Sequence, residues 1–431
     1  MPPEILAEIF SWTLPSPTSE MVGSVADLGL SPWVVSRVSS RWRATALATP
    51  LLWSTIFVCF GKANPPSLDM VKAQMDRSRS LKIHFFGSEE GDSAPQIELF
   101  LFLSQQSDRW EDLSIQLTSD LAPHLTAIRG CLSSLRRLWM QWDDAESDFT
   151  ANSIECFEAA PSLAEAGWLN ESHDISMLLP AHQLTVYQAN GPWEDHQSVL
   201  KSAHHLVEAR IVVQFPSWQS GGAGSAVIDL PHLRRLYVGN AEILDHLRAP
   251  SLAELAIHIR VRPNPSMLEH LGPFFDRSPC APHRLCLSGA LHTSVTETIL
   301  RKYTFISGIR LVAKYPPSLD EDTIRTAVAA HLNLLTVGDT SVSPHLDEIS
   351  FGSETELPIN FPLLLNMLIS RRSPLGALKT AAFLSKSGPM PGIQTLAGLE
   401  ALRAGGLRLS VGQGREAGIG VEGWTYGPTW N

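Results

Sequence analysis

The sequence predicts an α/β chain in two parts. A small all-α helical bundle is expected over residues 1–60, followed by an irregular repeat solenoid over 68–411, a curved sheet with helices and loops on its outer face. Three observations carry this. Apolar residues recur at helical spacing before residue 60. After it the texture changes to a repeated theme of amphipathic helix, proline or leucine corner, and short strand. Copies of that theme lie mostly 18 to 30 residues apart. The composition agrees: 431 residues allow two or three domains or one elongated array, and 44% hydrophobic residues suffice for a sizeable core.

Taken in order, Pro2 and Pro3 suit a helix entry, because proline presets φ and the first turn does not use its missing N–H. Ile5, Leu6, Ile9 and Phe10 follow at helical spacing. Residues 14–29, rich in Pro, Ser and Gly, read as a loop. Ser31-Pro32 opens a second helical run with Val34, Val35, Val38 and Trp42 on one stripe. Thr49-Pro50 stops it, and Leu51, Leu52 and Trp53 cluster just beyond. Residues 61–67 are expected to form a linker.

The first repeat has Leu68, Val71 and Met75 at helical spacing and LKIHFF at 81–86 as a strand. The clearest corners and strands are SSLRRLWM at 133–140, PHLRRLYV at 231–238 and APSLAELAIHI at 249–259. Looser copies are DRWEDLSIQL at 108–117, APSLAEAGWL at 160–169, APHRLCLSG at 281–289 and PHLDEISF at 344–351. The second anchor falls at Leu138, Ala166, Leu236, Leu255, Leu285, Leu335 and Ile349. That period matches leucine-rich repeats, in which each unit buries its leucines only by stacking on its neighbours. Asn240 falls one place early for the usual asparagine step, so no continuous asparagine ladder is expected. The alternative is a set of unrelated amphipathic strands in ordinary α/β domains. Residues 396–411 read as a last helix and strand, and 412–431 as a glycine-rich cap or frayed tail.

Charge and motifs exclude several functions. A net charge of -11 has the wrong sign for a general nucleic-acid or anionic-membrane binder. No stretch approaches 18 uninterrupted apolar residues, and MPPEILAEIF carries acid and proline where a signal peptide would be basic. The five cysteines form no CxxC pair, so reduced thiols in a cytoplasmic or nuclear protein are expected. Of the 33 cations 25 are Arg and 8 are Lys, with no Lys before Lys62, a ratio that fits codon bias. Gly412-Gln-Gly414 lacks the helix, strand and acid of a dinucleotide loop. The His204-His205 pair has no ligand partners, and the acidic clusters at 88–92 and 143–148 suit solvated loops. No catalytic residue, metal site or cofactor is expected.

The N-terminal segment resembles an F-box. Its matching residues are Pro2-Pro3-Glu4-Ile5-Leu6, Ile9-Phe10, Val34-Val35, Val38, Arg41-Trp42-Arg43, Ala46, Thr49-Pro50 and Leu52-Trp53. The downstream corners, with PHLRRL and FEAAPSL, look like the large F-box families of mushroom-forming fungi. The chain departs in having Met1 for the leading Leu and a longer 14–29 loop. The resemblance implies a substrate receptor that docks on the Skp-family adaptor of a cullin–RING ubiquitin ligase. The adaptor-binding residues would then be Pro2, Pro3, Ile5, Leu6, Ile9, Phe10, Val34, Val35, Val38, Trp42, Leu52 and Trp53, with Trp42 and Trp53 as large anchors. So small a domain cannot bury all of these internally, which independently calls for a partner. Trp139, Gln141, Tyr237 and His258, beside anchor residues, are the candidate target readers on the strand face. Two other readings stand: a non-ligase interaction scaffold with a degenerate F-box, and a hydrolase or transferase with a deep pocket.

Overall fold

The computed structural model describes residues 1–14, 31–60, 67–142, 153–169, 175–213, 227–259, 266–315, 321–338, 342–356, 359–372, 377–388 and 391–426. Nearly all of the expected 14–29 loop and 61–67 linker, and the 143–148 acidic cluster, lie outside them. The chain forms two compact units, one over Met1–His205 and one over Leu206–Val213 and Gln219–Thr429 in their described parts. Both are α/β, built on parallel strands.

The first unit opens with a helical head: α1 (Pro3–Ser11), α2 (Val35–Val38), α3 (Ser40–Leu47) and a 3-10 turn at Pro50–Trp53. Ser39 caps α3, its hydroxyl accepting from the Trp42 N–H at 3.1 Å. Leu6, Phe10, Val35, Ala46, Leu52 and Trp53 form the head's core, with Leu14, Trp33 and Trp42 packed against it. Then β1 (Thr55–Cys59) starts within two residues of the turn and pairs parallel with β2 (Leu81–Phe86). The helical part therefore ends near Ser54 rather than at residue 60. The alternation Thr55-Ile56-Phe57-Val58, with Ile56 and Val58 fully buried, has strand period.

The joint is tight. Helix α4 (Leu68–Arg77) places the Arg77 guanidinium carbon 4.4 Å from the Trp53 ring centre and 5.1 Å from that of Trp33. From the same helix Gln74 donates Nε2–H to the Thr55 carbonyl at 2.6 Å. The unit continues through α5 (Ala94–Ser104), β3 (Trp110–Leu117), β4 (Arg137–Trp142), β5 (Ser153–Ile154), β6 (Glu165–Leu169), β7 (Ser176–Met177), β8 (Val186–Asn190) and α6 (Trp193–Ser202). Its sheet runs β1-β2-β3-β4-β6-β8, while β5 pairs with β7.

The second unit holds β9 (Glu208–Val212), β10 (Ile228–Asp229), β11 (Arg235–Val238), β12 (Leu247–Arg248), β13 (Glu254–Ile259), α7 (Ser266–Arg277), β14 (Arg284–Gly289), α8 (Thr293–Lys302), β15 (Gly308–Ala313) and α9 (Glu321–Leu335). It ends with β16 (Glu348–Glu356), α10 (Phe361–Arg371), β17 (Thr380–Ser387), α11 (Ile393–Ala404), β18 (Arg408–Gln413) and α12 (Arg415–Trp424). Its parallel order is β9-β11-β13-β14-β15-β16-β17-β18, with β10 paired to β12.

The register sets the anchors in rows: Leu113, Leu138 and Ala166 in the first unit, and Ala209, Leu236, Leu255, Leu285, Ile309 and Ile349 in the second. Each of these is buried, at roughly 1.5–3 kcal/mol for a large aliphatic side chain. Leu335 is not a strand anchor. It closes α9, where Val328, Leu332 and Leu335 bury one helical stripe. The tail beyond residue 412 is also more structured than its glycine content suggests, because Arg415–Trp424 is helical.

Candidate interaction surfaces

Successive strand residues point to opposite faces, so the anchors define one face and their neighbours the other. The residue immediately before every one of these anchors except Ile309, which follows Gly308, carries charge, and the parallel register lines these charges up. In the first unit the row is Lys82, Asp112, Arg137, Glu165. Arg137 grips Asp112 with two hydrogen bonds of 2.8 and 2.6 Å. In the second unit the row is Glu208, Arg235, Glu254, Arg284, Gly308, Glu348, alternating in sign up to the glycine. Arg310 joins from the same face, its Nε 2.7 Å from Glu348. Sequence reasoning missed this ladder, although the alternation was there to be read in RRL, AEL, HRL and DEI.

All four candidate readers lie on the strand face. Trp139 and Gln141 belong to the first unit and Tyr237 and His258 to the second, so they do not form one cluster. Trp139 is buried and lies over Gly167, where a Cβ would stand 2.6 Å from its ring. Gln141 is half-buried and donates to Gln116 at 2.7 Å. Close by in the same sheet, Phe57 stacks on His84 at 6.1 Å, and burial lowers the His84 imidazole to about 4 against the pull of Asp112. Tyr237 is buried under the Arg210 guanidinium, 4.1 Å from its ring centre. His258 is half-buried, with Nδ1 3.3 Å from the Ser288 hydroxyl.

Helix α12 covers Tyr237. Val421 and Tyr426 join Tyr237, Ala256, Cys286 and Val312 in one buried cluster, flanked by Val212, Leu384 and Trp424. Small residues make room: a Cβ on Gly352 would stand 2.7 Å from both Trp424 and Val421. The end of the helix meets cations, with Arg210 donating to the Thr425 carbonyl at 2.7 Å.

The head divides its apolar residues into two adjoining stripes of α1. Leu6 and Phe10 face inward, whereas Ile5, Ile9 and Trp12, at i, i+4 and i+7, form an outward stripe, with Trp12 76% exposed. Pro2, Pro3, Val34 and Val38 are exposed, and Trp42 is half-buried 4.9 Å from Phe10. Leu47 and Leu51, absent from the expected set, are exposed too, Leu51 by 61%. Trp53 is the main correction. It is fully buried, its indole N–H donates to the Ala46 carbonyl at 2.8 Å, and its ring sits edge-on to Trp33. Leu6, Phe10, Val35 and Leu52 are likewise core residues, so these five hold the head together rather than present a surface.

Among the described residues no group of three or more His, Cys, Asp or Glu side chains is placed to hold a metal ion, and no helix is long and apolar enough to cross a membrane. Burial pushes the Cys156 and Cys286 thiols up to about 12 and Cys280 up to about 11. A small pocket in the first unit, lined by Met140, Ile154, Trp168, Met177 and their neighbours, contains only apolar side chains. No protein-family model matches the chain, and no curated protein matches it.

Proposed function

We propose that the chain is a substrate receptor of a Skp–cullin–F-box ubiquitin ligase in the cytoplasm or nucleus. In this reading the head is an F-box and the parallel strands form an irregular leucine-rich-repeat solenoid. The head docks on the Skp-family adaptor by burying its outward apolar stripe. The strand face holds a target protein near the charged conjugating enzyme. The chain itself makes and breaks no bond; it raises the local concentration of target lysines.

The observation that carries this is the division of α1. Leu6 and Phe10 already satisfy the head's own core, yet Ile5 and Trp12, with half-buried Ile9 between them, extend the apolar arc into solvent, together with Val34, Val38 and Leu51. A folded head with this much apolar surface to spare calls for a protein partner. Its joint at Arg77 ties the head to the first strands of its own unit.

The test is affinity purification of the full chain and of its Ile5→Asp/Val38→Asp variant. Adaptor and cullin are expected with the unaltered chain and absent from the variant, while target proteins persist with both. If neither adaptor nor cullin accompanies the unaltered chain, the receptor reading fails and the scaffold reading replaces it.

A further inference from the structure

The strand face of the second unit, which a target would occupy in the proposed function, already has an occupant. Val421 and Tyr426 seat beside Tyr237, Ala256, Cys286 and Val312, residues drawn from four adjacent strands. The pocket fits its occupant on both sides. Gly352 leaves space for Val421 and Trp424, and on the helix Gly420 leaves space for Leu384, whose Cδ1 would stand 2.9 Å from an added Cβ. Polar contacts fix the orientation: Arg210 holds the Thr425 carbonyl, the Tyr426 hydroxyl donates to Glu254 at 3.3 Å, and Arg310 lies 5.8 Å from the Trp424 ring centre.

The occupant is weakly helical on its own. Three of its ten residues are Gly418, Gly420 and Gly423, and glycine is the poorest ordinary helix former. A helix so short is marginal in water without a surface to dock on. It ends at Trp424, and two residues on Tyr426 has φ 52, a left-handed backbone that a residue other than glycine adopts at a cost in strain. No strand follows it in the described chain, and β18 completes its pairing with β17 before α12 begins. The helix can therefore leave without breaking a ladder.

We infer that α12 is a displaceable intramolecular ligand of this face, holding the place of a target's own short helix. Resting on the receptor reading for the partner's identity, the target is a helix of the same design. It carries a small residue, a branched aliphatic and an aromatic at the spacing of Ala417, Val421 and Trp424, and turns its C-terminal end to Arg210.

Cys286 reports on this directly, because it lies in the covered cluster at 2% exposure, while Cys131 is exposed and Cys156 is buried in the first unit. Full-length chain, Val421→Asp and the milder Trp424→Ser are alkylated with N-ethylmaleimide and read cysteine by cysteine. In the unaltered chain Cys286 is expected to react at least ~100-fold more slowly than Cys131. In either variant it is expected to rise to within about 10-fold of Cys131 while Cys156 stays protected. A synthetic peptide of residues 414–431, added in trans, restores protection, and the same peptide carrying Val421→Asp does not. The inference is overturned if Cys286 stays protected in both variants, if it reacts only in step with Cys156, or if the peptide fails to protect. None of these readouts involves the adaptor, so they fail or succeed independently of the head's docking.

Discussion

Arg284 on β14 reaches Glu348 on β16 across the whole width of β15, with Nη2 2.7 Å and Nε 2.9 Å from Oε2. It passes over Gly308, which has no side chain in the row between them; a Cβ there would lie 3.3 Å from that of Glu348. Burial by itself would raise the Glu348 carboxyl, but Arg310 and Arg284 outweigh it and hold it below its ordinary value. Its stabilisation is thus present above the unfolded value near 4.3 and fades as pH falls through the lower folded value. Glu348→Gln should cost about 1–3 kcal/mol at neutral pH and flatten that acid limb. Gly308→Leu should cost at least as much. Urea unfolding from pH 3 to 7 checks both, and their double variant should be less than additive.

His84 gives a second, separate pH dependence. Its folded value of about 4 lies below the unfolded value near 6.5, so the native state excludes a proton that the unfolded chain binds. First-unit stability should therefore rise as pH increases from 4 to 6.5, by up to ~3 kcal/mol, and level off above. His84→Phe should abolish the slope. Denaturation midpoints at pH 5 and 7.5 measure it.

Arg371 is buried without a carboxylate. Its guanidinium donates to the Leu335 and Ser343 carbonyls at 2.6 Å and to Val342 at 2.8 Å, capping the end of α9 and the segment after it. Desolvation lowers it to about 10, so it stays charged at neutral pH. Arg371→Met should strand these carbonyls and cost roughly 2–5 kcal/mol. Arg371→Lys should recover only part, since one ammonium cannot reproduce the fork. Hydrogen exchange of α9 and α10 amides should accelerate accordingly.

Trp53 separates packing from docking. Trp53→Ala should destabilise the head by about 3–5 kcal/mol, losing its Ala46 hydrogen bond and the Arg77 stack. Leu51→Asp, two residues away and mostly exposed, should leave stability within about 0.5 kcal/mol. Exchange protection of α1 and α3 distinguishes them.

Much of the fold was legible. Anchors such as Leu138 with Ala166 in the first unit, and Leu236 with Leu255 in the second, fell in register because strand period and corner chemistry are local properties. Leu335 was misassigned because LNLL ends a helix with the same leucine spacing that opens a strand corner, and only the longer Val328–Leu332–Leu335 stripe tells them apart. That the four candidate readers lie on the face opposite the anchors follows from pleat alone. That Tyr237 is covered was not legible: α12 contacts strands up to about 215 residues earlier, and its glycines argue locally against a helix. In the head, the pattern marked ten apolar positions but not which stripe faces inward. That division depends on Trp53 packing against Trp33 and Arg77, a tertiary fact.

The most direct measurement is isothermal titration of a purified Skp-family adaptor with the full chain and with Ile5→Asp/Val38→Asp, each checked for an unchanged unfolding midpoint. The account expects a Kd of about 1 µM or tighter for the unaltered chain, weakened at least ~30-fold by the double substitution. No detectable heat with the unaltered chain, or equal affinity for the folded variant, would contradict it.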